Sequence, residues 1–400
     1  MKEKTEGITG GNSGKDKKVT VAGKTLSIPS TAVVSQFQGE YESIDNGIVI
    51  YIMKDADGNV DTPDWTNINK EYMQKTYDQF VWVPVENAVL DLSSTYSSLD
   101  DTGIRAKVQE QINAGKYPMA IKTTTTGDYI GVLYQFAENS NKVEVTPYSD
   151  WTPKSTDYRE PSTLTDSTYG DTSNNLQQIN DILNTTYSDA TSFGTELQSQ
   201  FNAMVEKVSQ TGGFWIGRYE TSNMQNSTTK TQVSTRRGTI TGINNVTWYR
   251  MYAQQSLYSG NIQTSKTSSM IWGSQWDQVM IWMKNVVNDK ENTRGKYYVT
   301  NGVGKGNYGT ITINGSNVDD GNSSTSAPAQ TGSQDAYAVK NIFDLAGNVL
   351  EWTLEAYNTT RRVGSGGHYG TNTGGTRPEV RYYSISTNSG PYGGSRLTLY

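Results

Sequence analysis

Apolar residues along this chain fall into short β-type runs and a few helical stripes, separated by long polar stretches. Ile48-Val49-Ile50-Tyr51-Ile52 and Phe80-Val81-Trp82-Val83-Pro84-Val85 are rich in β-branched and aromatic residues and bounded by turn formers, so each predicts a strand. Residues 129–136 and Phe214-Trp215-Ile216-Gly217-Arg218-Tyr219 predict two more. Ile104, Val108 and Ile112 recur at helical spacing and are followed by Ala114-Gly115, a stop signal. Leu197, Phe201, Met204, Val205 and Val208 form one helical stripe, ended by Gly212-Gly213. Trp276, Val279, Met280, Met283 and Val287 form a second. Core packing accounts for such stripes without any further function.

The polar stretches set the organisation. Residues 1–36 are rich in Gly and Lys and lack a regular apolar pattern, which predicts a disordered tether or lead-in. Residues 37–400 read as one domain, in which 86–212 is an elaborated insertion. Within it, 145–175 is expected as long loops, and 289–335 is likewise mostly polar. The 400 residues provide ample interior for a core, while 34% hydrophobic content and 39 glycines predict a loop-rich protein rather than a helical bundle. A net charge of −6 argues against nucleic acid, which would call for a basic face. The absence of cysteine removes disulfides, thiolate metal sites and cysteine nucleophiles together, and leaves the compartment open. No apolar run approaches membrane-spanning length, and Met1-Lys2-Glu3-Lys4 does not read as a signal peptide. A surface-displayed form would therefore meet a membrane only through an anchor missing from this sequence.

Residues 357–400 have an unusual composition. They contain no Lys, Gln, Trp or Met and a single Glu, Glu379, although these five types fill 79 of the 400 positions in the chain. A Gly-rich surface loop would shed Trp and Met but keep Lys, Glu and Gln, which solvent tolerates best. An Asn codon (AAC or AAT) randomised at its two adenines reaches fifteen amino acids, and these five are the ones it misses. The competing reading is a plain Gly-rich terminus without diversification.

Residues 341–353, Asn-Ile-Phe-Asp-Leu-Ala-Gly-Asn-Val-Leu-Glu-Trp-Thr, closely resemble the signature of the formylglycine-generating enzyme family, a branch of the C-type lectin fold. Other pieces follow in the family's order: residues 80–85 as opening strand, 213–221 as the strand entering the first helix, and Asn245-Val246-Thr247-Trp248-Tyr249 as the second-helix motif. Arg362-Val363, Gly366-Gly367 and Gly394-Ser395-Arg396-Leu397 resemble the Arg-Gly-Gly loop and final strand. The resemblance implies an α+β, C-type lectin fold with short irregular strands, two or more packed helices and a large insertion. In the motif itself, Asp344 and Gly347-Asn348 suit a tight turn with positive φ and Trp352 suits a core anchor, so it reports fold rather than chemistry.

The family's oxidative chemistry uses a copper-binding cysteine pair, and its iron-dependent relatives use a histidine cluster. This chain has no Cys and one His, His368, so neither activity carries over and no cofactor or metal is implied. Asp55, Asp57, Asn59 and Asp61 could contribute oxygens to calcium, but the Gly58 spacing departs from the EF-hand pattern and a hairpin turn explains Asp57-Gly58. Within this fold, the chain resembles the variable proteins of diversity-generating retroelements, which carry a diversified ligand site at the C-terminus. Arg362, Val363, Gly366, Gly367, Tyr369, Arg381, Gly394, Ser395 and Arg396 are then scaffold candidates. Gly364, Ser365, His368, Gly370, Thr371, Tyr382, Tyr383, Ser384, Ile385, Gly390, Pro391 and Tyr392 are candidate variable, ligand-binding positions. The expected partner is a macromolecule or cell-surface ligand, protein or glycan. The expected setting is a bacterial surface or the extracellular space, or else a phage particle as a receptor-binding protein. A structural subunit and a metal-dependent enzyme with new ligands are the remaining alternatives.

Overall fold

The computed structural model describes residues 16–54, 62–155, 160–161, 172–225, 232–239, 246–262, 264–287, 296–302, 306–307, 311–313, 316–318, 328–370, 377–385 and 392–400. The Asp57-Gly58 turn falls outside them. The architecture is mixed α+β with several small sheets. Its centre is a six-stranded antiparallel sheet in the order Ser268–Met270, Leu397–Leu399, Gly213–Gly217, Asp78–Pro84, Val49–Ile52, Ala32–Val34. The expected apolar runs supply its middle, with Trp215 opposite both Trp82 and Leu399. The last strand of the chain is thus an interior strand, fully buried and paired on both edges.

The helix Ala190–Thr211 buries Phe193, Leu197, Phe201, Met204, Val205 and Val208, the predicted stripe extended by one turn towards its N-terminus. Asp189 and Ser192 form its capping box. Gly212 ends it in the left-handed conformation at φ +71°, and Gly213 at φ +155° starts the next strand. A Cβ on Gly213 would lie 2.3 Å from the Val83 carbonyl oxygen and 2.6 Å from the Trp82 ring, so the chain passes from helix to sheet only without a side chain. The helix Asp101–Asn113 buries Ile104 and Val108 as expected.

Four expectations need correction. The second stripe ends early: the helix Gly273–Met283 stops before Val287, which is exposed and bridged to Tyr297, because the Val286 amide turns back to the Met283 carbonyl at 2.8 Å. Residues 129–136 form two strands rather than one, Tyr129–Gly131 and Tyr134–Asn139, which belong to different sheets. Part of 145–175 is regular, with the strand Lys142–Pro147 entering it and the helix Thr172–Leu183 leaving it. Finally, part of the predicted lead-in is structured. Asp16–Val21 and Lys24–Pro29 form a hairpin about Ala22-Gly23, both at positive φ, and Ala32–Val34 joins the central sheet. Leu26 and Ile28 are buried, and the Trp215 indole donates to the Ser27 carbonyl at 3.0 Å. The alternation is only two or three residues deep on each strand, too short to stand out from its polar surroundings.

Residues 86–212, expected as an insertion, contribute to the main core: Met119, Ile121, Ile130 and Leu133 belong to the same buried cluster as Ile50 and Val81. Among the described residues no helix is long and apolar enough to cross a membrane. Gly213→Ala is expected to cost about 2–4 kcal/mol, from backbone strain and the clash with Val83 and Trp82, measured by urea denaturation.

Candidate functional site

Beside the central sheet lies a four-stranded sheet in the order Arg381–Ile385, Arg361–Ser365, Leu350–Ala356, Gly393–Ser395. The segment leading into it carries the 341–353 motif. Asp344 at φ +59°, Gly347 at +79° and Asn348 at +54° make the expected turns. The buried Asp344 carboxylate accepts from the Thr331 hydroxyl at 2.8 Å and the Gly332 amide at 2.7 Å. Asn348 donates to Glu220 at 2.5 Å and accepts from the Asn307 side chain and the Ala329 amide. These groups are spent on holding loops together, and Trp352 is buried.

Three arginines fix the terminal segment. Arg396 pairs with Glu351 and donates to the carbonyls of Gly217 at 3.0 Å and Phe343 at 2.8 Å. Arg362 lies buried with its guanidinium 5.0 Å from the Trp248 ring centre. Arg381 reaches inward to Asp277, to Glu355 at 3.2 Å and to the Tyr134 carbonyl at 2.9 Å. Val363, Gly366, Gly367, Tyr369, Gly394 and Ser395 are also buried. Gly366 has φ +92°, and a Cβ there would lie 2.6 Å from the Leu345 carbonyl oxygen, which only glycine tolerates.

The candidate variable positions divide in two. Tyr383 and Tyr392 are exposed at 49% and 43%, the two large exposed hydrophobic residues among the described residues of the terminal segment. Tyr382, Ser384, His368 and Gly370 are half-buried. Tyr383 stacks on Tyr357 with ring centres 3.8 Å apart, while Tyr392 lies 4.3 Å from His368 and 5.2 Å from Tyr369. The imidazole Nδ1 accepts from the Gly370 amide at 3.2 Å, and burial holds its pKa below the ordinary value. Gly364 and Ser365, by contrast, are buried in their strand, and a Cβ on Gly364 would lie 2.7 Å from the Leu350 side chain. Ile385 closes the outer strand. Thr371, Gly390 and Pro391 lie outside the described residues.

A cleft of about 250 Å³ opens between the terminal sheet and the insertion. Tyr382 and Tyr383 line it from the sheet, Tyr148, Asp150 and Trp151 from the insertion, and the buried Glu355–Arg381 pair contributes from within. Behind that pair, Asp277 also accepts from the Tyr134 amide at 2.7 Å. Glu160, from residues 86–212, accepts from the Gly273 and Ser274 amides at 2.6 and 2.8 Å, so its carboxyl group caps the helix Gly273–Met283. Burial and the Glu355 charge outweigh those donors and push the Glu160 pKa up to about 8. Burial likewise pushes Asp277 to about 7 against the pull of Arg381, and raises Glu355. Arg381 itself is desolvated, yet the two carboxylates hold it above the usual arginine range. Sequence reasoning missed Glu160, Asp277, Glu355, Tyr148 and Asp150. Tyr148, Asp150 and Glu160 lie in a stretch read only as loop, Glu355 lies just past the motif, and Asp277 sat unremarked on a helix read only for its apolar face.

The chain offers nothing that fits a copper pair, having no cysteine. Among the described residues no group of three His, Cys, Asp or Glu side chains is placed to hold a metal ion.

No family model matches the chain, and no curated protein matches it. Among solved structures it is similar to Treponema denticola variable protein 1, with 14% identity, a TM-score of 0.32, and coverage of 47% of this chain and 84% of that one. It is similar to PvdO from Pseudomonas aeruginosa at 14% identity and TM-score 0.33, covering 47% and 81%. It is also similar to CarF at 13% identity and TM-score 0.30, covering 46% and 85%. Likenesses this remote say nothing of what the chain binds.

Arg381→Met strands Asp277 and Glu355 without a counter-charge, so a loss of about 3–5 kcal/mol is expected in urea denaturation, partly recovered by adding Asp277→Asn. The second expectation concerns pH. With its pKa near 8 rather than 4.5, folded Glu160 keeps a proton that the unfolded chain releases, so its contribution to stability falls as pH rises between those values. In Glu160→Gln the slope of melting temperature against pH, from about pH 5 to about pH 8, is therefore expected to be less negative than in the wild type. Parallel slopes would mean that Glu160 is ionised throughout.

Proposed function

We propose that the protein is a non-catalytic binding protein, with a C-type lectin fold of the formylglycine-generating type. Residues 357–400 form its ligand-binding region, diversified by a retroelement and presented at a cell surface or outside the cell to a macromolecular ligand, protein or glycan. One observation carries this reading: inside the segment that lacks Lys, Gln, Trp and Met, the scaffold candidates are buried or ion-paired while His368, Tyr382, Tyr383, Ser384 and Tyr392 keep surface. Side chains at such positions can change without refolding the chain, because the segments carrying them are held by buried scaffold residues.

The exposed chemistry suits recognition. Tyrosine supplies a large amphipathic contact area with few rotatable bonds, and Ser and Gly adapt around it. Catalysis is disfavoured on the same geometry. The motif's carboxylates are buried and hydrogen-bonded, and a lone imidazole beside Tyr392 has no metal-ligating cluster around it among the described residues.

The DNA following the gene tests the proposal. A near-copy of the codons for residues 360–396, differing at template adenines and lying beside a reverse-transcriptase gene, is the expected finding. A genome without such a copy would return the terminal segment to a plain Gly-rich end.

A further inference from the structure

We propose that the carboxyl groups of Glu160, Asp277 and Glu355, gathered about the guanidinium of Arg381, form a proton-operated latch that sets how closely residues 86–212 shut on the terminal sheet, and so how wide the cleft stands. The latch is a property of the fold and does not depend on what the terminal face binds. Four segments meet in it. Arg381, on the outer strand, reaches Asp277 on the helix Gly273–Met283 and Glu355 on the strand Leu350–Ala356. It also donates to the Tyr134 carbonyl at 2.9 Å. Glu160 approaches the same helix from residues 86–212, taking the Gly273 amide at 2.6 Å and the Ser274 amide at 2.8 Å. The Glu355 carboxylate fills the place that a Cβ on Gly273 would take, so both glutamates touch one residue.

Charge balance gives the latch its proton dependence. All three carboxyl groups are buried, and among the described residues no cation but Arg381 pairs with any of them. Fully ionised, the cluster would hold two negative charges without a counter-ion and out of water, a cost that protonation removes. Burial, with the Glu355 charge, accordingly raises Glu160 to about 8, and burial raises Asp277 to about 7. Tyr134, whose amide donates to Asp277 at 2.7 Å, and Tyr148, whose ring centre lies 5.4 Å from the Arg381 guanidinium, also face the cluster. Burial raises both above the ordinary tyrosine value, so they stay neutral here. Glu379, raised to about 7 by burial, pairs with Arg377 at 3.2 Å. His368, lowered by burial, changes charge below this range. The closed form therefore binds more protons than an opened, hydrated one, so acid closes the latch and alkali opens it.

The test uses the chain's lack of cysteine, which lets two introduced thiols be labelled uniquely. In the full chain Ser149→Cys and Tyr383→Cys, exposed positions on the two sides of the cleft, carry spin labels, and pulsed electron paramagnetic resonance reads the distance between them. Expected is one short distance at about pH 6 and a longer or broader distribution at about pH 9, half of the change falling between about pH 7 and about pH 8 with the far-ultraviolet circular dichroism unaltered. Glu160→Gln is expected to remove about half of the change or more, and adding Asp277→Asn to abolish it. A wild-type distance indifferent to pH, or the same change in both variants, would overturn the latch. Should neither variant fold, Glu379→Gln decides: it is expected to keep the wild-type response, and losing it would place the proton outside the cluster and overturn the latch.

Discussion

The terminal face depends on the burial of the chain's last strand. Leu397–Leu399 lies inside the central sheet between Ser268–Met270 and Gly213–Gly217, and cannot be withdrawn without opening the core. Immediately before it, Arg396 is clamped to Glu351 and to two backbone carbonyls, and Gly393–Ser395 runs parallel to Leu350–Ala356. The segment between the motif and the final strand is therefore anchored at both ends, with its strands Arg361–Ser365 and Arg381–Ile385 joined in turn to Leu350–Ala356 in one sheet.

Charge burial does the rest of the positioning. Arg381 is reached by a carboxylate from the helix Gly273–Met283, by another from the strand Leu350–Ala356, and by a carbonyl of the insertion. Glu160 attaches the insertion to the start of the same helix. Such buried pairs contribute little net stability compared with apolar packing, but removing one partner is costly, so they fix geometry sharply. Here they hold the strand that bears Tyr382 and Tyr383 at a set distance from Tyr148 and Asp150. Residues Tyr148, Asp150 and Trp151 thus line the same cleft as Tyr382 and Tyr383.

The runs at 48–52, 80–85 and 214–219, which become the strands Val49–Ile52, Asp78–Pro84 and Gly213–Gly217, the stripe from Leu197 to Val208 and the Gly212-Gly213 break were legible because each rests on local periodicity or on a backbone conformation that only glycine adopts readily. The motif turns at Asp344 and Asn348 were legible for the same local reason. The hairpin of residues 16–29 was not, since its few apolar residues matter only against Trp215 and its neighbours. Gly364 and Ser365 were placed among the variable positions lying between scaffold residues; both are buried in their strand, and Leu350 packs where a side chain on Gly364 would lie.

By itself the sequence determined the strands at the middle of the central sheet, the helix stripe from Leu197 to Val208, the lack of thiol or multi-histidine chemistry, and a terminal block of filtered composition rich in Tyr, Gly and Ser. Those are properties of composition and near neighbours. The tertiary structure alone decided that Asp277, Glu355 and Arg381 meet, that Glu160 caps a helix more than a hundred positions away, and that Tyr148 and Asp150 face Tyr382 and Tyr383 across a cleft. Contacts between residues so distant in the chain leave no periodic trace, because nothing in the local backbone depends on them until the sheet has closed.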